Sequence, residues 1–160
     1  MGDLSEFKLA LRLFLRAYPW RRIEPVPCAP LRRPLAEARL ALITSAGLVP
    51  AGVTPFDETA RGGDWSCREI PGDVDVATLV DTHRSESFDH SGLARDRNLV
   101  FPLDRLRELA AAGRLGALNR RHFSVMGSLT AVGRFIRETA PAIAAALVAD
   151  GVEAALLVPV

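Results

Sequence analysis

The C-terminal stretch constrains the fold most. Thr130 to Asp150 is Ala-rich and patterned as a helix, Gly151 ends it, and Ala154 to Val160 is an apolar strand, Ala-Ala-Leu-Leu-Val-Pro-Val. A helix, a glycine and an apolar strand form the repeating unit of a sheet covered by helices. A second apolar run, Ala38 to Thr44, passes into Ser45-Ala46-Gly47, as a strand entering a small-residue turn does. Between the two, Leu103 to Ala112 reads as a helix with Leu103, Leu106 and Leu109 on one face and Gly113 as its cap. Pro141 is expected to kink or split the 130–150 helix. These elements predict an α/β fold: a mainly parallel sheet flanked by helices, Rossmann-like and three-layered.

Weaker signals fill in the rest. Trp65 to Ile70 and Val76 to Thr82 read as short strands. Leu115 to Met126 is ambiguous, with His122 to Met126 as its strand candidate. Residues 48–64 read as a long loop, and 84–100 as polar and irregular. Ahead of this body, residues 3–18 carry Leu4, Phe7, Leu11, Phe14, Leu15 and Tyr18 at helical spacing, and Pro19 stops the helix. Five of the eleven prolines follow between Pro19 and Pro34, which favours an extended arm. The expected division is therefore 1–34, an N-terminal helix and Pro-rich arm, and 35–160, the α/β domain. The arm is expected to pack on the domain or on a second copy in a homo-oligomer. The alternative is a membrane-surface helix with a basic polar face.

Composition narrows the function classes. The chain has 160 residues, 20 basic and 19 acidic, for a net charge of +1. A dedicated nucleic-acid partner is not expected at that balance. Cys28 and Cys67 lie far apart and form neither C-x-x-C nor a zinc spacing, so the expected location is the cytoplasm and no metal site is expected. No apolar run is long enough for a transmembrane helix.

In open α/β sheets, ligands bind beyond the carboxyl ends of the strands. Those ends hold Thr44, Ser45 and Gly47, then His83, then Ser124 to Gly127, then the end of the 154–160 strand. Thr44, Ser45 and Gly47 are candidates for a substrate-binding turn, because glycine lets backbone N–H groups approach an anion. A plain strand-to-loop turn explains them equally well. His83 and His122 are candidate proton donors, and Ser124, beside His122, is a substrate-binding candidate. Each also reads as a histidine bonded to the backbone. Asp96 and Asn98, before the 103–112 helix, are binding candidates that equally suit loop stapling. His90, among Asp89, Ser91 and Gly92, reads as exposed. Cys67 reads as a small buried hydrophobe. None of these residues forms a nucleophile–base pair.

Several segments, in order, resemble the selenoprotein B family of glycine, sarcosine, betaine and D-proline reductases. They are Arg33-Pro34-Leu35-Ala36-Glu37-Ala38-Arg39, Thr44-Ser45-Ala46-Gly47, Pro55-Phe56-Asp57 and Gly63-Asp64-Trp65-Ser66-Cys67-Arg68-Glu69-Ile70-Pro71. Thr82-His83, Asp96 to Leu106, His122 to Gly127 and Gly151 to Val160 follow. The resemblance covers residues 33–160. It implies reductive cleavage of a C–N bond in a small-molecule amine or amino acid, with electrons from a dithiol donor. It also implies complex subunits as partners, one carrying a pyruvoyl group, and no cofactor within this chain. The family's redox selenocysteine, with a cysteine after it in a U-x-x-C motif, is expected just after Val160, at a UGA codon. No catalytic nucleophile is then expected within residues 1–160, and the chain alone is expected to be inactive. The alternative is a non-catalytic binding or assembly subunit with the same fold.

Overall fold

The computed structural model describes residues 7–19, 22–85 and 88–160. The chain divides into two compact units, Met1–Pro30 and Leu31–Val160. In the first, α1 spans Leu9–Ala17 and buries none of its residues. The part of the expected 3–18 helix before Phe7 lies outside the described residues. Among the described residues, no helix is long and apolar enough to cross a membrane.

The second unit is built on β1 (Arg39–Thr44). Side chains on a strand alternate between faces, so an apolar run on a central strand supplies two cores. Leu40 and Leu42 join Ile70, Phe101, Leu103 and Leu106 on one side. Ala41, with Ile43 packed alongside, joins Phe123, Val125, Ile143 and Leu147 on the other. Helix α3 (Leu103–Ala111) supplies the first face and α4 (Ala140–Ala149) the second. Leu103 and Leu106 of the expected α3 face are buried, while Leu109 is 37% exposed. Gly113 at φ +68° closes α3, and its N–H donates to the Ala110 carbonyl.

The five-stranded sheet is mixed: three of its pairings are parallel, as expected of most of it, and one is antiparallel. β7 (Ala154–Val158) runs parallel to β1 along one edge. Along the other edge run β5 (Ala117–Leu118) and β6 (Arg121–Val125), also parallel to β1. β3 (Cys67–Pro71) pairs with β6 antiparallel, Cys67 opposite Val125 and Pro71 opposite Arg121. The direction follows from the connection. A parallel pairing needs a crossover that returns the chain to the other end of the sheet. The 50–66 segment contains no helix, and β3 starts at the end where β1 finished.

Two further details differ from the sequence reading, and a third bears out the disruption expected at Pro141. Val76 to Thr82 is not one strand. Asp75 accepts from the Ala77 N–H, the Thr78 hydroxyl donates to the Asp75 carbonyl, and a 3₁₀ turn forms over Val76–Thr78. Only β4 (Val80–Asp81) remains, antiparallel to β2 (Leu48–Val49). The 84–100 stretch contains α2 (His90–Arg95) and a 3₁₀ turn, Arg97–Leu99, with Asp89 and Asp96 accepting at their starts. Ahead of α4, residues Phe135–Thr139 form a π-helical turn. Pro141 has no N–H and its ring crowds the preceding turn, so the helix widens there.

Candidate functional site

The ends of β1, β6 and β7 are tied together through Ser45. Its N–H donates to the Val158 carbonyl at 3.1 Å. Its hydroxyl accepts from the Val160 N–H at 2.9 Å and faces the Val160 carbonyl at 3.3 Å. Its carbonyl accepts from the Gly127 N–H at 2.8 Å. The approach needs a glycine: a Cβ on residue 127 would sit 2.8 Å from the Ser45 carbonyl oxygen and 2.9 Å from that of Val160. Gly47, at φ +64°, turns the chain under His83; a Cβ there would lie 3.2 Å from the His83 Cα. The Thr82 hydroxyl donates to the Gly47 carbonyl at 2.6 Å and locks that turn.

His83 sits over this junction. It is 8% exposed and its N–H donates to Asp81. Its Nδ1 accepts from the Ser85 N–H at 3.3 Å, and its buried Nε2 has no partner among the described residues. Phe88 packs against the ring at a centroid distance of 4.4 Å. Burial pushes the His83 imidazole below its ordinary value, with opposing effects from Asp81 and His90. His90 is pushed the other way: its Nδ1 faces the Asp81 carboxylate, its Nε2 faces the Ser85 carbonyl at 3.1 Å, and both favour the charged ring. His83, Ser85, Phe88, Gly127, Ser128 and Val160 line one pocket of about 280 Å³.

The structure thus brings Ser45, Gly47, His83 and Val160 to one end of the sheet. Ser45 is occupied by the backbone of β7, so its hydroxyl organises the site without facing the pocket. Four other candidates are placed differently. Thr44 is fully buried, and its hydroxyl accepts from the Ala46 N–H at 3.1 Å. Ser124 is fully buried, and its hydroxyl has no partner among the described residues. Asp96 and Asn98 staple the start of α3: Asn98 donates to Asp104 at 3.0 Å and accepts from the Asp104 N–H at 3.1 Å.

His122, the second candidate proton donor, is inside the core. β5 and β6 are interrupted at Asn119 and Arg120, and the Leu42 N–H left unpaired by that break donates to His122 Nδ1 at 3.0 Å. Burial, reinforced by Arg107, lowers its value to about 4. The ring is a neutral part of the ladder and lines no part of the His83 pocket.

Sequence reasoning missed Ser85, Phe88 and Ser128. Ser128 follows the end of β6 directly, so the strand-end argument extended by a few residues would have reached it. The His90–Asp81 pair carries no spacing signal. Among the described residues, no three His, Cys, Asp or Glu side chains gather as a metal site. Cys67 is half-buried, and desolvation followed by Glu69 raises its thiol, so it is no activated nucleophile.

Fold and geometry define an α/β domain with a small pocket beyond its strand ends. A sequence model of the glycine/sarcosine/betaine reductase selenoprotein B family matches residues 5–160, and the chain belongs to that family. It is 35% identical to the D-proline reductase subunit gamma of Acetoanaerobium sticklandii over 98% of this chain and 61% of that protein. It is 31% identical to the glycine reductase complex component B subunit gamma of Carboxydothermus hydrogenoformans, over 97% of this chain and 35% of the relative. The sarcosine reductase complex component B subunit beta of Peptoclostridium acidaminophilum is 28% identical over the same shares. The chain thus spans between about a third and three fifths of the length of these relatives. No solved structure matches.

Proposed function

We propose that the chain forms part of a selenoprotein B-type subunit of an amino-acid reductase complex. Such a subunit cleaves a C–N bond of a small amine or amino acid with electrons from a dithiol. The observation that carries this reading is the family match along residues 5–160, which includes every element around the His83 pocket. The redox selenocysteine would follow Val160, and it supplies a selenolate nucleophile. The chain's own residues do the positioning. Ser45 holds Val160 at both its N–H and its carbonyl, so whatever follows leaves the sheet beside the pocket. His83 and Phe88 form part of the wall of that pocket. The pyruvoyl group belongs to a partner subunit in this reading, and the location is the cytoplasm.

The test has two steps. The locus is sequenced beyond codon 160 for UGA and a continuing frame with a nearby cysteine codon. The extended protein, with its partner subunits and dithiothreitol, is then assayed for reduction of glycine, sarcosine, betaine and D-proline. Turnover of one of them supports the proposal. A UAA or UAG codon, or a complete complex that reduces none of the four, favours a binding or assembly subunit.

A further inference from the structure

His90 is not among the residues lining the pocket, but it touches two that are. His83, Ser85 and Phe88, three of the six lining residues, all lie between β4 and α2. His90 Nε2 faces the Ser85 carbonyl at 3.1 Å, and its ring meets that of Phe88 edge-on at a centroid distance of 5.1 Å. Phe88 in turn packs on His83. The other ring nitrogen, Nδ1, faces the Asp81 carboxylate at 2.5 Å, at the end of β4. The imidazole therefore bridges the strand that leads into the loop and the loop itself.

The bridge needs both ring protons. A carbonyl oxygen and a carboxylate oxygen only accept, so each nitrogen donates and the ring is a cation. Asp81 favours that form most, then the Ser85 carbonyl, with Asp89 at the start of α2 adding to them. Burial keeps His83 neutral, Arg84 donates to the Ala60 carbonyl, and Arg95 on α2 acts on Asp89. Glu86 lies outside the described residues. When the ring gives one proton to water, it keeps the stronger bond, from Nδ1–H to the carboxylate. Nε2 then turns a lone pair toward the Ser85 carbonyl oxygen, and two acceptors at hydrogen-bond distance repel. That carbonyl still accepts from the Phe88 N–H at 3.1 Å, so it leaves the ring without being stranded.

We propose that His90 is a positioning residue for the pocket wall: as a cation it ties Ser85 and Phe88 to Asp81, and as a neutral ring it releases them. The wall is firm at pH below the His90 titration and looser above it, because the bridge is lost as pH rises. The device works whatever ligand the pocket takes, so it stands or falls apart from the proposed function.

The full 160-residue chain, labelled with ¹⁵N, is followed by NMR from mildly acid to mildly alkaline pH. The His90 ring nitrogens report its protonation. Hydrogen exchange, corrected for its intrinsic pH dependence, reports the protection of the Ser85 and Phe88 amides. Their protection should fall roughly fivefold with the midpoint of His90, the scale of one half-exposed hydrogen bond from a charged group. The Asn119 amide, bonded to the Leu40 carbonyl, should keep its protection throughout. His90→Gln should remove the pH dependence. Asp81→Asn should move the fall and the His90 midpoint together to lower pH, and it keeps the test readable if the first variant does not fold. Glu86→Gln should leave the fall in place. Protection that stays flat while His90 titrates, a fall that persists in His90→Gln or vanishes in Glu86→Gln, or a His90 ring already neutral at mildly acid pH would overturn the proposal.

Discussion

The two ends of the same sheet differ in how far their polar groups are paired. Where β6 and β7 begin, Asp150 accepts from Asn119 at 2.9 Å and from Arg121 at 2.6 Å and 3.1 Å, with Arg120 at 3.3 Å. Arg121 reaches on to Glu69 on β3 at 3.0 Å. The Asp150 side chain is 4% exposed, and these cations and amides hold its carboxyl far below the usual carboxylate range. At the other end, the buried His83 Nε2 and the hydroxyl of Ser128, a residue of the pocket wall, have no partner among the described residues. A satisfied buried network locks strands in register, while unmet groups beside a cavity are available to a ligand. The contrast is one of degree, because Asn119 Oδ1 at the Asp150 end is also buried without a partner among the described residues.

Acid should attack the scaffold end first, and this is the largest effect expected. His122 is near 4 when folded and about 6.5 when unfolded. The unfolded chain therefore binds more protons between these values. Stability is full above the unfolded value and is lost as pH falls toward the folded one, by on the order of 3 kcal/mol. His90 has the opposite sign: its raised folded value gives a contribution present at low pH and lost as pH rises through that value. Urea midpoints across pH, with NMR titration of the individual histidines, check both signs.

Asn119→Ala should cost about 2 kcal/mol in urea unfolding, because it strands the Arg121 carbonyl and takes a donor from Asp150. Amide shifts induced by glycine at the far end should be unaffected. A change in both would mean that the two ends are coupled. Ser45→Ala should cost less, about 1 kcal/mol, since its bonds to Val160 are exposed to water. Its clearer signature is local: faster amide exchange at Val160, with the Asn119–Arg121 amides unchanged. Arg105→Ala, in the exposed pair with Glu108 on α3, should leave stability and binding within error.

How much was legible in the sequence follows the same division. β1, α3 and β7 were readable almost to the residue, because each is an apolar run or stripe bounded by a turn or a glycine. β3 was found, but its direction was not, since pairing direction depends on where a loop leaves the chain. The Val76 to Thr82 strand failed because Asp75 and Thr78 offered the backbone local hydrogen bonds instead. Ser45, Gly47 and His83 were reached through their places at strand ends. His122 and Ser124 were flagged by the same rule, but their alternation on β6 turns them into the core. Phe88 carries no pattern at all, and Ser128, three residues past β6, lay just beyond the reach of the strand-end rule.

Backbone amide mapping during a glycine titration tests the contrast between the two ends most directly. The account predicts saturable shifts at Ser45 to Gly47, His83 to Ser85, Gly127, Ser128 and Val160, with none at Asn119 to Arg121 or Asp150. Shifts centred on the Asp150 network, with His83 and Ser128 silent, would contradict it.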